Sequence, residues 1–435
     1  MADYATSADP AVQHQLDRLT LLSPGADILG LGRITELLRR LGDPQLTLPP
    51  VFHVAGTNGK GSTCAFLRAA IEASGLRAHV YSSPHLVRFN ERIRLSGELI
   101  ADAILAPLLE EVLDVGGDIG ASFFEVTTAA AFLAFARVPA DACIIEVGLG
   151  GRLDATNVLT PAITGIAQLG VDHQSFLGDT AEAIAAEKAG IAKPDVPLVT
   201  MSYPDEIALT VAAVAATRGA EVLAADDAWH WRVEGDRLHY RDREGPVETP
   251  LPALAGPHQP ANLALAIALL RHQNALEIPE EALSAAARNA RWPARMQRLA
   301  PGPLLDLLPT GSELWLDGGH NPAAAEAVST TLAQVAEGRP VHLILGMLSN
   351  KDAQGLLAPF AALAQSLQAV PVPGHEHHAP TALAEVAQTL GIPHAASASD
   401  VPSALRAIRH EGVVLILGSL YLAGTVLEAT GEMPS

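Results

Sequence analysis

The chain is poor in cysteine, in aromatic residues and in positive charge. Cys64 and Cys143 are its only cysteines in 435 residues, too few for a disulfide framework or a four-thiolate zinc site. A reducing compartment suits such a chain, and the cytoplasm is the expected location. Lys and Arg number 28 against 48 Asp and Glu, for a formal net charge of −20, and aromatics make up only 4%. With no basic block interleaved with aromatics, a broad electrostatic surface for nucleic acid is excluded, and an anionic ligand must be met by local cations. Long apolar runs are missing as well. The longest, residues 129–136 and 263–270, hold eight residues each, well short of the roughly 20 needed to cross a bilayer. The first twenty residues carry acids where an export signal needs positive charge and then an apolar run, so neither export nor membrane contact is expected.

What is present is aliphatic, with 49% hydrophobic and 17% charged residues, the profile of a folded core. At about 150 residues per domain, two or three folded units are expected. Short β-branched runs at 51–55, 78–82 and 142–147 alternate with Ala/Leu-rich stretches at 62–74 and 101–113. That rhythm predicts an α/β fold with buried parallel strands. Residues 229–249 instead alternate polar and apolar side chains between turn residues, which predicts a small β excursion inside the first domain. A long apolar helix is expected at 261–272, and the Pro/Arg-bearing stretch 291–303 reads as a linker. Beyond it, the runs 314–316, 341–345, 367–371 and 413–417 predict a second, smaller Rossmann-like α/β unit. The expected division is 1–298 and 299–435.

The richest local signal is VFHVAGTNGKGST, residues 51–63: an apolar strand, then Gly56, Thr57, Asn58, Gly59, Lys60, Gly61 and Ser62, then a helix. Glycines let the backbone curl so that amides face one point, where a helix N-terminus adds partial positive charge. Lys60 supplies a point charge for β/γ-phosphates, and Ser62 or Thr63 a hydroxyl for phosphate or its Mg²⁺. The strict G-x-x-x-x-G-K-[ST] spacing is not met, because Gly61 follows Lys60. An ordinary Gly-rich turn is the bland alternative; the strand, lysine and hydroxyls together favour phosphate.

GTNGKGS, together with SSPHLVRFNERIR at 82–94, resembles the ATP-dependent Mur-type amide ligases, and within them the folylpolyglutamate synthase and dihydrofolate synthase branch. The likeness runs from Leu29-Gly30-Leu31-Gly32-Arg33 to Gly418-Ser419-Leu420-Tyr421, nearly the whole chain. It implies a P-loop ligase domain and a C-terminal glutamate-ligase domain. It also implies ATP and one or two Mg²⁺ ions, with small-molecule substrates, dihydropteroate or folates and L-glutamate, taken by a monomer. The same motifs leave room for folylpolyglutamate synthesis alone or for a Mur ligase acting on a cell-wall precursor. A nucleotide-binding switch without ligase chemistry is the rival from another class.

Three residues near the ends of expected strands, Ser83, Glu146 and His173, are implied metal ligands. A carboxylate directly after an apolar run is costly to bury unpaired, which favours that role for Glu146, whereas Asp172-His173 alone reads as a hydrogen-bonded pair. The resemblance assigns Ser82, Ser122, Phe124, Arg152 and Leu153 to the substrate and places Asp154 at the reaction centre. On its own, Phe124 reads equally well as core. Lys188 reads by default as a surface lysine; the resemblance implies a carbamate on it. Asn262 reads as a helix cap and Arg295 as a solvated cation, but by resemblance both contact ATP, as does Asp317, with His320 on the phosphate or glutamate side. The family usually has Ala where Gly319 stands. His375, His377 and His378 read as a solvated loop without a partner set.

Overall fold

Aliphatic runs without polar alternation are buried on both faces, so the core strands of this chain lie between helices. A computed structural model describes residues 5–22 and 29–434 and shows an α/β protein with three sheets. Residues 1–4 of the acidic N-terminal stretch lie outside the described residues. The first sheet holds β1 (Val51–Ala55), β2 (Ala78–Tyr81), β3 (Ile93–Leu95), β4 (Glu98–Leu99), β5 (Ala142–Glu146), β6 (Ile163–Ile166), β7 (Leu198–Thr200) and β8 (Val222–Ala224). Their order is β4-β3-β2-β5-β1-β6-β7-β8. The six strands from β2 to β8 in that order are parallel, while β3 and β4 add antiparallel pairs at one edge. After β1 the chain crosses to one side of it, and after β5 to the other, so β1 lies at the switch point where open α/β sheets bind ligands.

Helix Phe123–Arg137 packs one face of this sheet with Phe132 and Phe135 fully buried. Removing a ring of this size from such a core costs about 3–5 kcal/mol. The β excursion is a three-stranded antiparallel sheet, β9 (His230–Glu234), β10 (Arg237–Asp242) and β11 (Gly245–Pro250), ordered β11-β10-β9. Its Asp242 accepts from both Arg271 Nε and Nη2 at 2.7 Å. Arg271 ends helix Gln259–Arg271, so this ion pair ties the small sheet to the helix.

The third sheet holds β12 (Gln297–Arg298), β13 (Glu313–Leu316), β14 (Val341–Leu345), β15 (Ser366–Ala369), β16 (Ala395–Ser397) and β17 (Val413–Leu417), ordered β12-β13-β17-β14-β15-β16. All are parallel except β12, which runs antiparallel to β13. Two compact units result: the described residues up to Ala253 with Gln259–Arg291, and Leu254–His258 with Trp292–Pro434. The expected boundary at 298/299 lies just inside the second unit, where Gln297 and Arg298 pair with Leu316 and Trp315. Among the described residues, no helix is long and apolar enough to cross a membrane.

Candidate active site

The phosphate loop leaves β1 and enters helix Lys60–Ala73. Gly56 and Gly59 hold φ of 149° and 85°, left-handed backbone that only glycine adopts without strain. An added Cβ at Gly59 would also collide with the Asn262 carboxamide. The amides of Thr57 and Asn58 both donate to the Gln168 carbonyl, at 2.8 and 3.1 Å, and Thr57 Oγ1 donates to Gly170 O at 2.9 Å. A glycine-rich curl leads one to expect every amide of the loop to face the ligand. In the structure, two of them instead secure the loop to the segment after β6. Those left to face an anion belong to the first helical turn, Lys60, Gly61 and Ser62, which lacks intrahelical acceptors.

Two lysines meet here. Lys60 Nζ donates to Gly56 O at 3.0 Å and Thr57 O at 3.3 Å. Lys188 Nζ donates to the same Gly56 O at 3.0 Å. Lys188 is 5% exposed, which overturns its default reading as a surface residue. Burial, with Lys60 as a second cause, pulls its amine down from 10.5 to about 7. An ammonium held near neutrality beside a second cation is the mark of a functional position more than of a structural one.

Glu146 ends β5 directly beside Val54 of β1, so its buried carboxylate leaves the sheet at the phosphate-loop edge. It lies close enough to Cys64 of the loop helix to add to the burial that pushes that thiol up. Ser83 follows β2 on the same parallel edge. His173 follows β6 in left-handed backbone, φ 55°, with its amide on Asp172 Oδ1 at 2.7 Å. A hydroxyl, a carboxylate and an imidazole on loops at one sheet edge suit a hard divalent cation that keeps some of its waters.

The loop after β5 packs closely. A Cβ at Gly148 would overlap the Phe124 ring, and one at Gly151 would stand 2.8 and 2.9 Å from the carbonyls of Lys188 and Glu187. Phe124 is half-buried, 6.0 Å from the Tyr81 ring, and forms a wall beside the loop. Asp154 is buried and accepts from Leu149 N at 2.7 Å, Thr156 N at 3.0 Å and Thr156 Oγ1 at 2.5 Å. Burial outweighs these donors and raises its carboxyl. Asp154 is thus the clasp of the loop. Arg152 pairs with Glu187 at 2.8 Å and is 45% exposed, with Leu153 half-buried beside it. Ser122 caps helix Phe123–Arg137 in a reciprocal box with Glu125, a structural use of its hydroxyl beside the substrate role that the resemblance implies. Ser82 is buried after β2, its amide on Arg92 O at 3.0 Å.

Asn262 does not cap its helix. The helix begins at Gln259, and Asn262 is buried inside it, donating to Gln259 Oε1 at 3.1 Å. Sequence reasoning passes over Gln259, whose only signal is its place in the polar GPHQPAN run.

In the second unit, Asp317 follows β13 and accepts from Met296 N at 2.8 Å and Gly319 N at 2.6 Å. Burial raises its carboxyl, with Arg295 opposing. A Cβ at Gly319 would crowd Asp317 Oδ1 at 2.8 Å, which gives the glycine a local reason. Arg295 Nη1 lies 2.8 Å from where a Gly318 Cβ would stand. It is flanked by Ala294 and Met296, both with positive φ, 54° and 39°, and its Nη1 donates to Ala294 O at 2.9 Å. His320 Nδ1 bonds Gly318 O at 3.0 Å. The histidine loop is more ordered than expected: His375 stacks on Tyr421 at 3.7 Å and His378 Nε2 bonds Lys351 O at 2.8 Å.

Known proteins share this fold. Residues 306–420 match the family described as Mur ligase, glutamate ligase domain. The folylpolyglutamate synthase of Lacticaseibacillus casei is 34% identical over 418 residues, 91% of this chain and 92% of that one. The dihydrofolate synthase/folylpolyglutamate synthase of Escherichia coli K12 is 33% identical over 402 residues, 92% and 91% of the two chains. The structure of E. coli FolC with DHPP and ADP superposes with a TM-score of 0.86 at 32% identity, covering 97% of each chain. A bifunctional synthase with Mn, AMPPNP and L-glutamate bound superposes with a TM-score of 0.85 at 34% identity, covering 99% of each. With likeness of this extent, the chain belongs to the dihydrofolate synthase/folylpolyglutamate synthase family of Mur ligases, ATP-dependent amide-bond ligases.

Proposed function

We propose that this ligase adds L-glutamate both to dihydropteroate, giving dihydrofolate, and to the γ-carboxyl of folates, acting as a cytoplasmic monomer. The observation that carries the reading is the convergence of Lys60 and Lys188 on the Gly56 carbonyl, beside a helix N-terminus. Such a cradle suits the tail of ATP. In the first step a substrate carboxylate oxygen attacks the γ-phosphorus and ADP leaves, forming an acyl phosphate. The glutamate amine then attacks the acyl carbon, and phosphate departs as the amide forms. Lys60 and the first-turn amides offset the charge that develops on the phosphoryl oxygens.

Ser83, Glu146 and His173 would hold Mg²⁺ or Mn²⁺, which would supply positive charge to offset that of the phosphates. The near-neutral Lys188 amine suits addition of CO₂, which yields a carbamate and releases one proton. Phe124 against Gly148 presents a flat apolar wall suited to a pterin ring, and Ser82, Ser122, Arg152 and Leu153 are assigned to the same substrate. Asp154 holds the reaction-centre loop in shape. Asn262 and, from the second unit, Arg295 and Asp317 are assigned to the nucleotide, and His320 to phosphate or glutamate.

The test is ADP release by purified protein with ATP, Mg²⁺, glutamate and either dihydropteroate or tetrahydrofolate. Turnover with both supports the proposal. Turnover with tetrahydrofolate alone restricts it to polyglutamylation, and turnover only with a nucleotide-sugar acid overturns it. ATP binding without glutamate-dependent turnover would point to a switch.

A further inference from the structure

Gln259 is fully buried at the first position of helix Gln259–Arg271. Its amide has two partners. Asn262 Nδ2 donates to its Oε1 at 3.1 Å, and its own Nε2 donates to Ser62 Oγ at 3.3 Å. The Asn262 carboxamide in turn fills the space where Gly59 lacks a Cβ. These contacts form one ladder of amides from Gly59 to Ser62, gripping both ends of the phosphate loop's first turn.

The chemistry of the hydroxyl gives the ladder a purpose. Ser62 Oγ has one proton and two lone pairs. Near the start of a helix, an unrestrained serine turns to donate to the carbonyl four residues back, here Asn58. A donor from Gln259 occupies one lone pair and holds the rotor, leaving the second lone pair and the proton for the ligand side. Because Asn262 donates to Oε1, the Gln259 carboxamide has its NH₂ fixed toward Ser62. A glutamate or an aliphatic residue in its place cannot supply that donor.

We infer that Gln259 is a positioning residue that acts through Ser62 to orient its hydroxyl toward the phosphates and divalent cation of bound nucleotide. The inference rests on the phosphate-loop reading above. It also gives the long helix a part in the chemistry beyond packing.

The experiment is a double-mutant cycle of Ser62→Ala, Gln259→Leu and the double variant, read as Mg²⁺ concentration for half-maximal ADP release and as kcat. Each protein is first matched to wild type for thermal melting. Loss of one hydrogen bond that orients the hydroxyl predicts a rise of about three- to tenfold in the Mg²⁺ requirement for Gln259→Leu. The double variant should need no more Mg²⁺ than Ser62→Ala alone, because the two substitutions remove the same interaction. Gln259→Glu, similar in shape but without the donor, should behave like Gln259→Leu. Multiplicative effects in the cycle, or full function in Gln259→Glu, would overturn the inference. An unchanged Mg²⁺ requirement in Ser62→Ala would instead overturn the role given to Ser62, and absence of glutamate-dependent turnover in the wild type would overturn the ligase assignment. If Gln259→Leu melts early, Gln259→Glu with the same readout decides the matter.

Discussion

Replacing Lys188 by methionine should stabilise the fold near neutral pH while abolishing turnover. Burial lowers this amine from 10.5 to about 7, so the unfolded chain keeps the proton over a range where the folded chain has released it. Stability therefore climbs with pH between those two values and is level below about 7. Integrated over that window, the lysine withholds about 4 kcal/mol near pH 7, and about 3 kcal/mol of this returns by about pH 9.5. Methionine has similar length and no charge, and it gives up the bond to Gly56 O together with the attraction of Asp172 and Asp154 for the ammonium. The assay is denaturant unfolding of both proteins across this range in buffer depleted of carbon dioxide, with the difference in stability plotted against pH. The reasoning predicts a gap that favours the variant near neutrality and closes toward alkaline pH. A gap that stays constant would refute the buried, near-neutral amine, and a variant less stable at every pH would show that the Gly56 contact dominates.

Lys60→Ala should lower glutamate-dependent ADP release by about 10²- to 10³-fold with melting unchanged, as loss of one preorganised charge-stabilising group does; full activity would contradict the loop assignment. Gly151→Ala drives a methyl into the carbonyls of Lys188 and Glu187 and should cost about 1–3 kcal/mol in denaturant unfolding, together with activity. Arg271→Met leaves Asp242 buried without its main cation and should destabilise the chain by about 3–5 kcal/mol, which a shifted unfolding midpoint would register. Treatment with a chelator should stop turnover, and adding back Mg²⁺ or Mn²⁺ should restore it; activity that survives chelation would argue against the divalent-cation role given to Ser83, Glu146 and His173.

Features written in adjacent residues are legible from the amino-acid sequence alone. The run VFHVA and the glycines after it define β1 and the phosphate loop because strand, turn and helix start are local events. The runs at 341–345 and 413–417 coincide with β14 and β17 residue for residue, since short, mainly branched-aliphatic runs of five residues suit a buried strand in an α/β setting. What stays hidden depends on distant partners. The Ser122 cap is an exception, a local Ser-x-x-Glu box that the sequence does carry and that a reading of Ser122 as substrate-facing passes over. Lys188 is buried because the loop after β5 lies on its helix, with Gly151 against its carbonyl. Gln259 finds Ser62 across 197 positions of sequence, and no periodicity carries such a signal. The three-stranded form of the excursion is half visible: its alternation is plain, but the anchoring pair of Asp242 and Arg271 spans 29 positions.

The backbone around Arg295 has a consequence for engineering. Ala294 and Met296 both hold torsions that cost L-residues on the order of 1 kcal/mol or more each. Glycine at position 294 is the change a thermostabilising design would try first, because at 296 it would strip a buried methionine from the core. Ala294→Gly should melt no earlier than wild type; weaker nucleotide binding by the variant would show that the tension a designer relaxes is what points this guanidinium, and unchanged binding would show that it is not.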